Sequence, residues 1–283
     1  MILSDLRSEC VRILLKEGIA RPFYEADLML SKVLGIERAL LIAKSEMEIP
    51  EQKCEGILSM TGKRAERVPL SYIIGEAEFY GRPFKVGRGC LIPRPETELL
   101  VEEMLSLCPE ASRFADWCTG SGCIALTLLL ENDRLTGYGI ESSENAMYWA
   151  QLNTDMYDLG SRLSLILNSD PAYCGIEPRS LDFITANPPY IPSEDIPALM
   201  PDVRDNEPTE ALDGGEDGAD VYRLLFRHLP HLLRDEGILA FETGGNAHAK
   251  LIEELAPEGF VLMNRIFDYN GILRHLAWKK IRQ

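Results

Sequence analysis

Apolar residues in the first 67 positions recur every three or four residues. Leu3, Leu6, Cys10, Ile13 and Leu14 fall on one helical face, and Ala26, Leu28, Met29, Leu30, Val33 and Leu34 mark a second helix that stops near Gly35. The spacing predicts a small helical bundle over residues 1–67. That stretch has no histidine, no glycine-rich loop and no paired carboxylates on an apolar face, so it reads as a segment that recognises a partner or braces a catalytic part. Between Pro69 and Leu91 the helical spacing stops. Ser71–Gly75, Glu78–Gly81 and Phe84–Val86 read as short strands with glycine turns, which predicts a β-hairpin linker over residues 68–92. Pro93 and Pro95 then introduce a helix with Glu96 and Glu98 near its positive end and Leu99, Leu100, Val101, Met104 and Leu105 as its buried stripe. Capping accounts for most of this segment, and Arg94 reads as a surface residue.

From Arg113 onward, short apolar runs alternate with helical patterns, the signature of a mostly parallel sheet covered on both faces. The expected fold class is therefore α/β. A seven-stranded sheet fills residues 93–283, closing with a late hairpin from Phe260–Phe267 and Ile272–Trp278. The acidic, proline- and glycine-rich stretch Ile191–Asp220 interrupts the alternation and is expected to act as a lid over a substrate.

Composition narrows the class. The chain has 283 residues with 46% hydrophobic side chains, ordinary for a globular protein. Its seven cysteines are scattered with no CxxC pair, which indicates neither a disulfide framework nor a zinc site. His228 and His231 flank Pro230 without acidic or cysteine ligands nearby, so they read as surface histidines and no metal is expected. Early charge at Asp5 and Arg7 argues against a signal peptide, and apolar runs such as Ile124–Leu130 are far short of a membrane span. The expected location is cytoplasmic, with no membrane partner. A net charge of −16 repels phosphate backbones, and no Lys/Arg-rich tract offsets it, so direct nucleic-acid binding is not expected.

The candidate chemistry sits at strand ends. After the strand Phe114–Trp117, the loop Cys118-Thr119-Gly120-Ser121-Gly122 leads into a buried helix, and its glycines let backbone approach a ligand at a helix N-terminus. Glu141, about 20 residues on at the next strand end, stands where an acid accepts hydrogen bonds from ribose hydroxyls. Each element also has a plain reading: the glycines as a βα turn, Glu141 as the start of a helix. Asp170, before Pro171 at a third strand end, suits either an adenine amino group or an ordinary Asp-Pro turn. The fourth strand, Ser180–Ala186, ends in Asn187-Pro188-Pro189-Tyr190. Proline has no N–H, so this corner presents the Asn187 carboxamide oxygen and the Pro188 carbonyl as acceptors beside the Tyr190 ring. Two convergent acceptors suit a planar nitrogen bearing two hydrogens. Gly120–Ala125 also fits the dinucleotide pattern of NAD-dependent dehydrogenases, but hydride transfer needs a proton relay that this corner lacks, so methyl transfer fits better.

These motifs, with Pro69–Gly75, Leu91–Glu98, Asn206–Leu212 and Gly214–Gly218, resemble the release factor glutamine methyltransferases, the HemK/PrmC family. The motif matches run from about residue 69 to 275; the preceding helical segment matches by size and character only. The resemblance implies a Rossmann-like S-adenosyl-L-methionine-dependent methyltransferase domain over residues 93–283, joined by the β-hairpin to an N-terminal substrate-recognition domain. The implied reaction is N5-methylation of the glutamine in the Gly-Gly-Gln loop of peptide chain release factors. It makes Cys118, Thr119, Gly120, Ser121, Gly122, Glu141, Asp170, Pro171 and Asn187 cofactor contacts, and Asn187, Pro188, Pro189 and Tyr190 the glutamine clamp. Within that clamp Asn187, Pro188 and Tyr190 are the catalytic positions. The chain departs from the family pattern with Cys118 for the usual glycine, Glu141 for the commoner aspartate and Pro171 for a frequent aromatic. An alternative is a DNA or RNA amino-methyltransferase, which uses a closely similar Asn-Pro-Pro-aromatic clamp on flipped bases.

Overall fold

The stripe of Leu3, Leu6, Cys10 and Leu14 lies along helix α1 (Leu3–Lys16), and in the computed structural model, which describes residues 1–282, all four side chains are buried. Helix α2 (Pro22–Leu34) starts with proline, whose missing N–H is no loss at a first turn. It ends at Gly35, whose φ of 69° is the left-handed conformation that glycine adopts without strain. Helix α3 (Glu51–Ala65) adds Cys54 and Ile57 to the same core. Helical spacing does not persist between Gly35 and Pro50, and that stretch forms a 3₁₀ turn at Arg38–Leu40 and further turns. The strand expected at Ser71–Gly75 is instead helix α4 (Leu70–Ile74). Leu70 and Ile73, three apart, both pack on the bundle core, a contact a strand would place on opposite faces.

This first unit takes in Met1–Gly75 together with Met200–Asn206. Arg64, only 7% exposed at its side chain, ties the two pieces by donating to Glu25 at 2.5 Å and to Asp202 at 2.7 Å.

The second unit begins with β1 (Glu76–Phe79) and β2 (Arg82–Lys85), an antiparallel hairpin. Phe79 and Phe84 are fully buried in one of the sheet's own cores, so the hairpin expected as a linker packs as part of this unit. A 3₁₀ turn at Pro95–Thr97 opens α5 (Glu98–Leu107), followed by β3 (Arg113–Trp117), α6 (Cys123–Glu131), β4 (Thr136–Glu141) and α7 (Glu144–Met156). Next come β5 (Leu163–Leu167), β6 (Leu181–Ala186) and the helical turn α8 (Pro201–Arg204), which lies in the segment grouped with the first unit. The chain closes with α9 (Asp220–His228), β7 (Leu233–Glu242), α10 (Asn246–Glu254), β8 (Phe260–Phe267) and β9 (Leu273–Lys280).

The seven-stranded sheet has the order β5-β4-β3-β6-β7-β9-β8, and β9 runs antiparallel to both its neighbours. Alternate side chains of β3 serve opposite cores: Phe114 packs with α5 and α6, while Ala115 and Trp117 pack with α9 and α10. Phe114 stacks on Phe183 of β6 at 5.2 Å, a parallel contact that fixes the two central strands to each other. From that pair, chain order runs outward in both directions, so a crevice opens at the carboxyl ends of β3 and β6. The stretch expected as an irregular lid contains short helical turns at Ser193–Ala198, Pro201–Arg204 and Thr209–Ala211. Its arms meet where Ile191 bridges Asp213 and the Ser193 hydroxyl donates to Asp213 at 2.7 Å.

Candidate active site

One cavity occupies this crevice. Its wall includes Cys118, Thr119, Gly120 and Ser121 after β3, Glu141 to Ser143 after β4, Asn168, Ser169 and Pro171 after β5, and Asn187 and Pro189 after β6. The loop after β3 needs left-handed backbone three times, at Cys118 (φ 56°), Gly120 (φ 57°) and Gly122 (φ 79°). Glycine meets this at two positions without cost; Cys118 carries the strain of an L side chain there. Burial pushes its thiol pKa well up, so it stays protonated and acts as a small apolar wall. An added Cβ on Gly120 would meet no atom within 4 Å, so that backbone is open to a ligand.

Glu141 holds the loop in place. Its Oε2 accepts from the Gly120 N–H at 2.9 Å, and its Oε1 accepts from the Ser142 and Ser143 N–H groups at 2.8 and 3.0 Å. One carboxylate thereby joins the glycine loop to the N-terminus of α7. Beneath the loop, Asp116 is fully buried and accepts from the Thr119 hydroxyl at 2.6 Å and the Thr185 hydroxyl at 2.8 Å. Loss of solvent raises its pKa to about 7, against the lowering effect of those two hydroxyls.

Asp170 is not part of the cavity wall. Its Oδ1 caps the 3₁₀ turn Pro171–Tyr173 by accepting from the Ala172 N–H at 2.9 Å, which is the Asp-Pro turn outcome; Asn168 and Ser169 line the cavity in its stead. Gly122 likewise stands behind the wall, with Leu126 at its back.

At the end of β6, Asn187 is half-buried and Pro188 and Pro189 are buried. Among the described residues, no donor reaches the Pro188 carbonyl or the Asn187 Oδ1. The Asn187 Nδ2 faces Thr97 Oγ1 at 3.5 Å. Pro188 and Tyr190 lie beside the cavity rather than on its lining. The Tyr190 ring packs 6.0 Å from the ring of His248 and against Gly244, where an added Cβ would come within 3.0 Å of it. His248 is pinned in turn: its Nδ1 accepts from the Gly244 N–H at 3.0 Å, leaving Nε2–H to donate to the Gly218 carbonyl at 2.9 Å. Burial lowers its pKa, which favours this neutral form.

Arg94 is not an idle surface residue. It lines the cavity and donates to Glu207 at 2.6 Å, and that carboxylate, only 1% exposed, also accepts from the Ile92 N–H at 3.1 Å. The capping explanation for Arg94 to Glu98 overlooked this pair, because Glu207 is 113 residues away. Thr97, Glu242 and His275 were overlooked as well. The available signal was positional: Glu242 ends the apolar run Ile238–Phe241, the same place in a strand as Glu141 and Asn187 occupy in theirs.

Residues 5–75 match the PrmC N-terminal domain and residues 95–199 the methyltransferase small domain. A protein of Thermodesulfovibrio yellowstonii named release factor glutamine methyltransferase is 35% identical over 261 residues, covering 90% of this chain and 92% of that protein. Its namesake from Geobacter sulfurreducens is 36% identical, covering 92% and 90%. Another, from Moorella thermoacetica, is 38% identical over 259 residues, 90% of each chain. Among solved structures, the hMettl16 catalytic domain crystallised with a 3'UTR hairpin superposes with a TM-score of 0.57 at 14% identity over 81% of each chain, a likeness of fold alone.

Proposed function

This chain belongs to the release factor glutamine methyltransferases, and from that premise we propose that it methylates the side-chain amide nitrogen (N5) of the glutamine in the Gly-Gly-Gln loop of peptide chain release factors. It is an S-adenosylmethionine-dependent enzyme. The open Gly120 backbone and the Glu141 carboxylate fit such a cofactor, with Cys118 to Ser121, Glu141, Asn168, Ser169 and Pro171 as its cradle. Three hydrogen bonds, from the Ser142 and Ser143 N–H groups and the Ser142 hydroxyl, converge on Glu141 Oε1 and one from Gly120 reaches Oε2, so Oε2 is the oxygen with capacity left for a ribose hydroxyl. When bound, the sulfonium cofactor supplies an electrophilic methyl group.

The observation that carries the acceptor assignment is the pair of uncommitted acceptors at Asn187 Oδ1 and Pro188 O, on a corner where two prolines remove competing donors. An amide nitrogen is a weak nucleophile because its lone pair is delocalised into the carbonyl. Alignment therefore matters more than base strength: orientation contributes up to about 7–11 kcal/mol in well-aligned systems, whereas a general base gives about 10²–10⁴-fold. Asn187 and Pro188 hold the two N–H bonds and aim the nitrogen; as the new N–C bond forms and the methyl leaves the sulfonium sulfur, one of these two protons departs to solvent, while Pro189 and Tyr190 keep the corner rigid. The N-terminal helical segment, expected over residues 1–67 and folded within the unit that takes in Met1–Gly75, is the part we assign to recognition of the protein substrate; the hairpin β1–β2 belongs to the catalytic unit that follows.

Labelled S-adenosylmethionine offered in parallel with release factor, its loop Gln→Ala variant and duplex DNA tests the assignment. Transfer to intact release factor alone is expected. Label on DNA, or on the Gln→Ala variant at the same rate, would overturn it.

A further inference from the structure

A carboxamide has two ends of equal shape and opposite polarity, so Asn187 serves as an acceptor only if the correct end faces the substrate. Its Nδ2 lies 3.5 Å from Thr97 Oγ1, the Thr97 hydroxyl donates to Glu242 Oε2 at 2.6 Å, and His275 Nε2 stands 3.3 Å from that same oxygen. Behind the half-buried Asn187 the row is shut off from water: Thr97 and Glu242 are each 2% exposed and His275 is 0% exposed. Strand register assembles it. Ala186 pairs with Phe241, so Asn187 and Glu242 leave neighbouring strands side by side, and Glu242 pairs directly with His275 across β7 and β9. The Tyr222 hydroxyl further holds the Glu242 backbone by donating to its carbonyl at 2.6 Å.

The polarity of the row runs one way. A carboxylate can only accept, so the single hydrogen of Thr97 goes to Glu242, and only lone pairs remain on the Thr97 oxygen for Asn187. Were Asn187 flipped, its oxygen would face the Thr97 oxygen with no hydrogen between them inside a buried site, a loss comparable to an unmade buried hydrogen bond. We propose that Thr97 and Glu242 are positioning residues that set the flip of Asn187, leaving Oδ1 and not Nδ2 to meet the N–H of the substrate amide. The proposal rests on the acceptor assignment above, and it gives the Pro-Glu-Thr turn a role in turnover beyond starting α5.

Thr97→Val keeps the shape and removes the hydroxyl. In single-turnover methyl transfer to release factor, its rate is expected to fall about 10- to 100-fold, while the dissociation constant for S-adenosylmethionine changes less than about threefold. Thr97→Ser restores the hydroxyl and is expected to recover most of the rate. In an Asn187→Asp background, where both ends of the side chain are oxygen and no flip exists, Thr97→Val should cost far less than it does in the native chain. The Asn187 side-chain NH₂ resonance, followed by NMR in the enzyme alone, should shift in Thr97→Val and return in Thr97→Ser. Native turnover in Thr97→Val, equal impairment of the Val and Ser variants, or an unmoved NH₂ resonance would each overturn the proposal. Failure of the native enzyme to label release factor would instead defeat the acceptor assignment, and the NMR comparison would still judge the flip.

Discussion

At the cofactor end of the cavity, the inward-facing groups come from residues 118–121 and 141–143, and the hydrogen bonds that shape them are mostly donated by backbone N–H groups. At the acceptor end, Asn187, Thr97 and Glu242 meet through side chains separated by 90 and 145 positions in the chain. The difference teaches which substitutions each end can absorb. A backbone cradle depends on dihedral angles and tolerates a changed side chain, as Cys118 at a left-handed position illustrates. A side-chain row depends on the identity and polarity of every member, so one lost hydroxyl is felt along it.

The largest expected effect tests the acceptor end directly. Asn187→Ala removes the oriented acceptor and should lower the single-turnover rate by about 10²-fold or more, with cofactor affinity within about threefold of native by calorimetry. Equal losses in rate and affinity would break the contrast between the two ends. Glu141→Ala should behave in the opposite sense, weakening S-adenosylmethionine about 10- to 100-fold, the worth of hydrogen bonds to a charged group, with a smaller effect on the rate at saturating cofactor. Equilibrium dialysis alongside saturating-cofactor kinetics separates the two.

A third prediction concerns the floor of the cofactor end. Because burial raises the Asp116 pKa from 3.8 to about 7, the folded protein holds a proton there that the unfolded chain has already released. Between about pH 4 and pH 7 the folded state binds more protons at this site, so its contribution to stability is greatest below pH 4 and falls as pH rises through 7. Urea midpoints for Asp116→Asn should lose that part of the pH slope; identical slopes in both proteins would refute the assignment. The smallest effect belongs to Cys118→Gly. Relief of left-handed strain offsets the lost thiol packing and the added chain entropy, so stability should change by less than about 1 kcal/mol and cofactor affinity by less than about threefold. A large change would show that the side chain, not the backbone, builds that end.

Legibility in the sequence follows the same division. The glycine loop, Glu141 and Asn187–Tyr190 announce themselves because each is a short contiguous run at the end of an apolar strand pattern. The sheet is legible for a similar reason, since short, mostly apolar stretches such as Phe114–Trp117 and Ile238–Phe241 alternate with helical patterns along the chain. The short segment Ser71–Gly75 misleads because three consecutive apolar residues, Tyr72 to Ile74, fit either period, and its partner decides; Leu70 and Ile73 find the bundle core as a helix. Arg94 and Thr97 look like helix-start residues, and locally that is what they are.

The sequence by itself determined the alternation of strands and helices, the donor-free corner at Asn187-Pro188-Pro189-Tyr190 and the glycine approach to a ligand, because each depends on the conformational limits of neighbouring residues. Tertiary structure alone decided that Glu207 would bury itself against Arg94 and that Thr97 would lie between Asn187 and Glu242. Those outcomes depend on strand order and register, which bring distant positions within hydrogen-bond reach. A buried polar group takes whichever partner the fold supplies, because leaving it unpaired away from water costs more than any local preference.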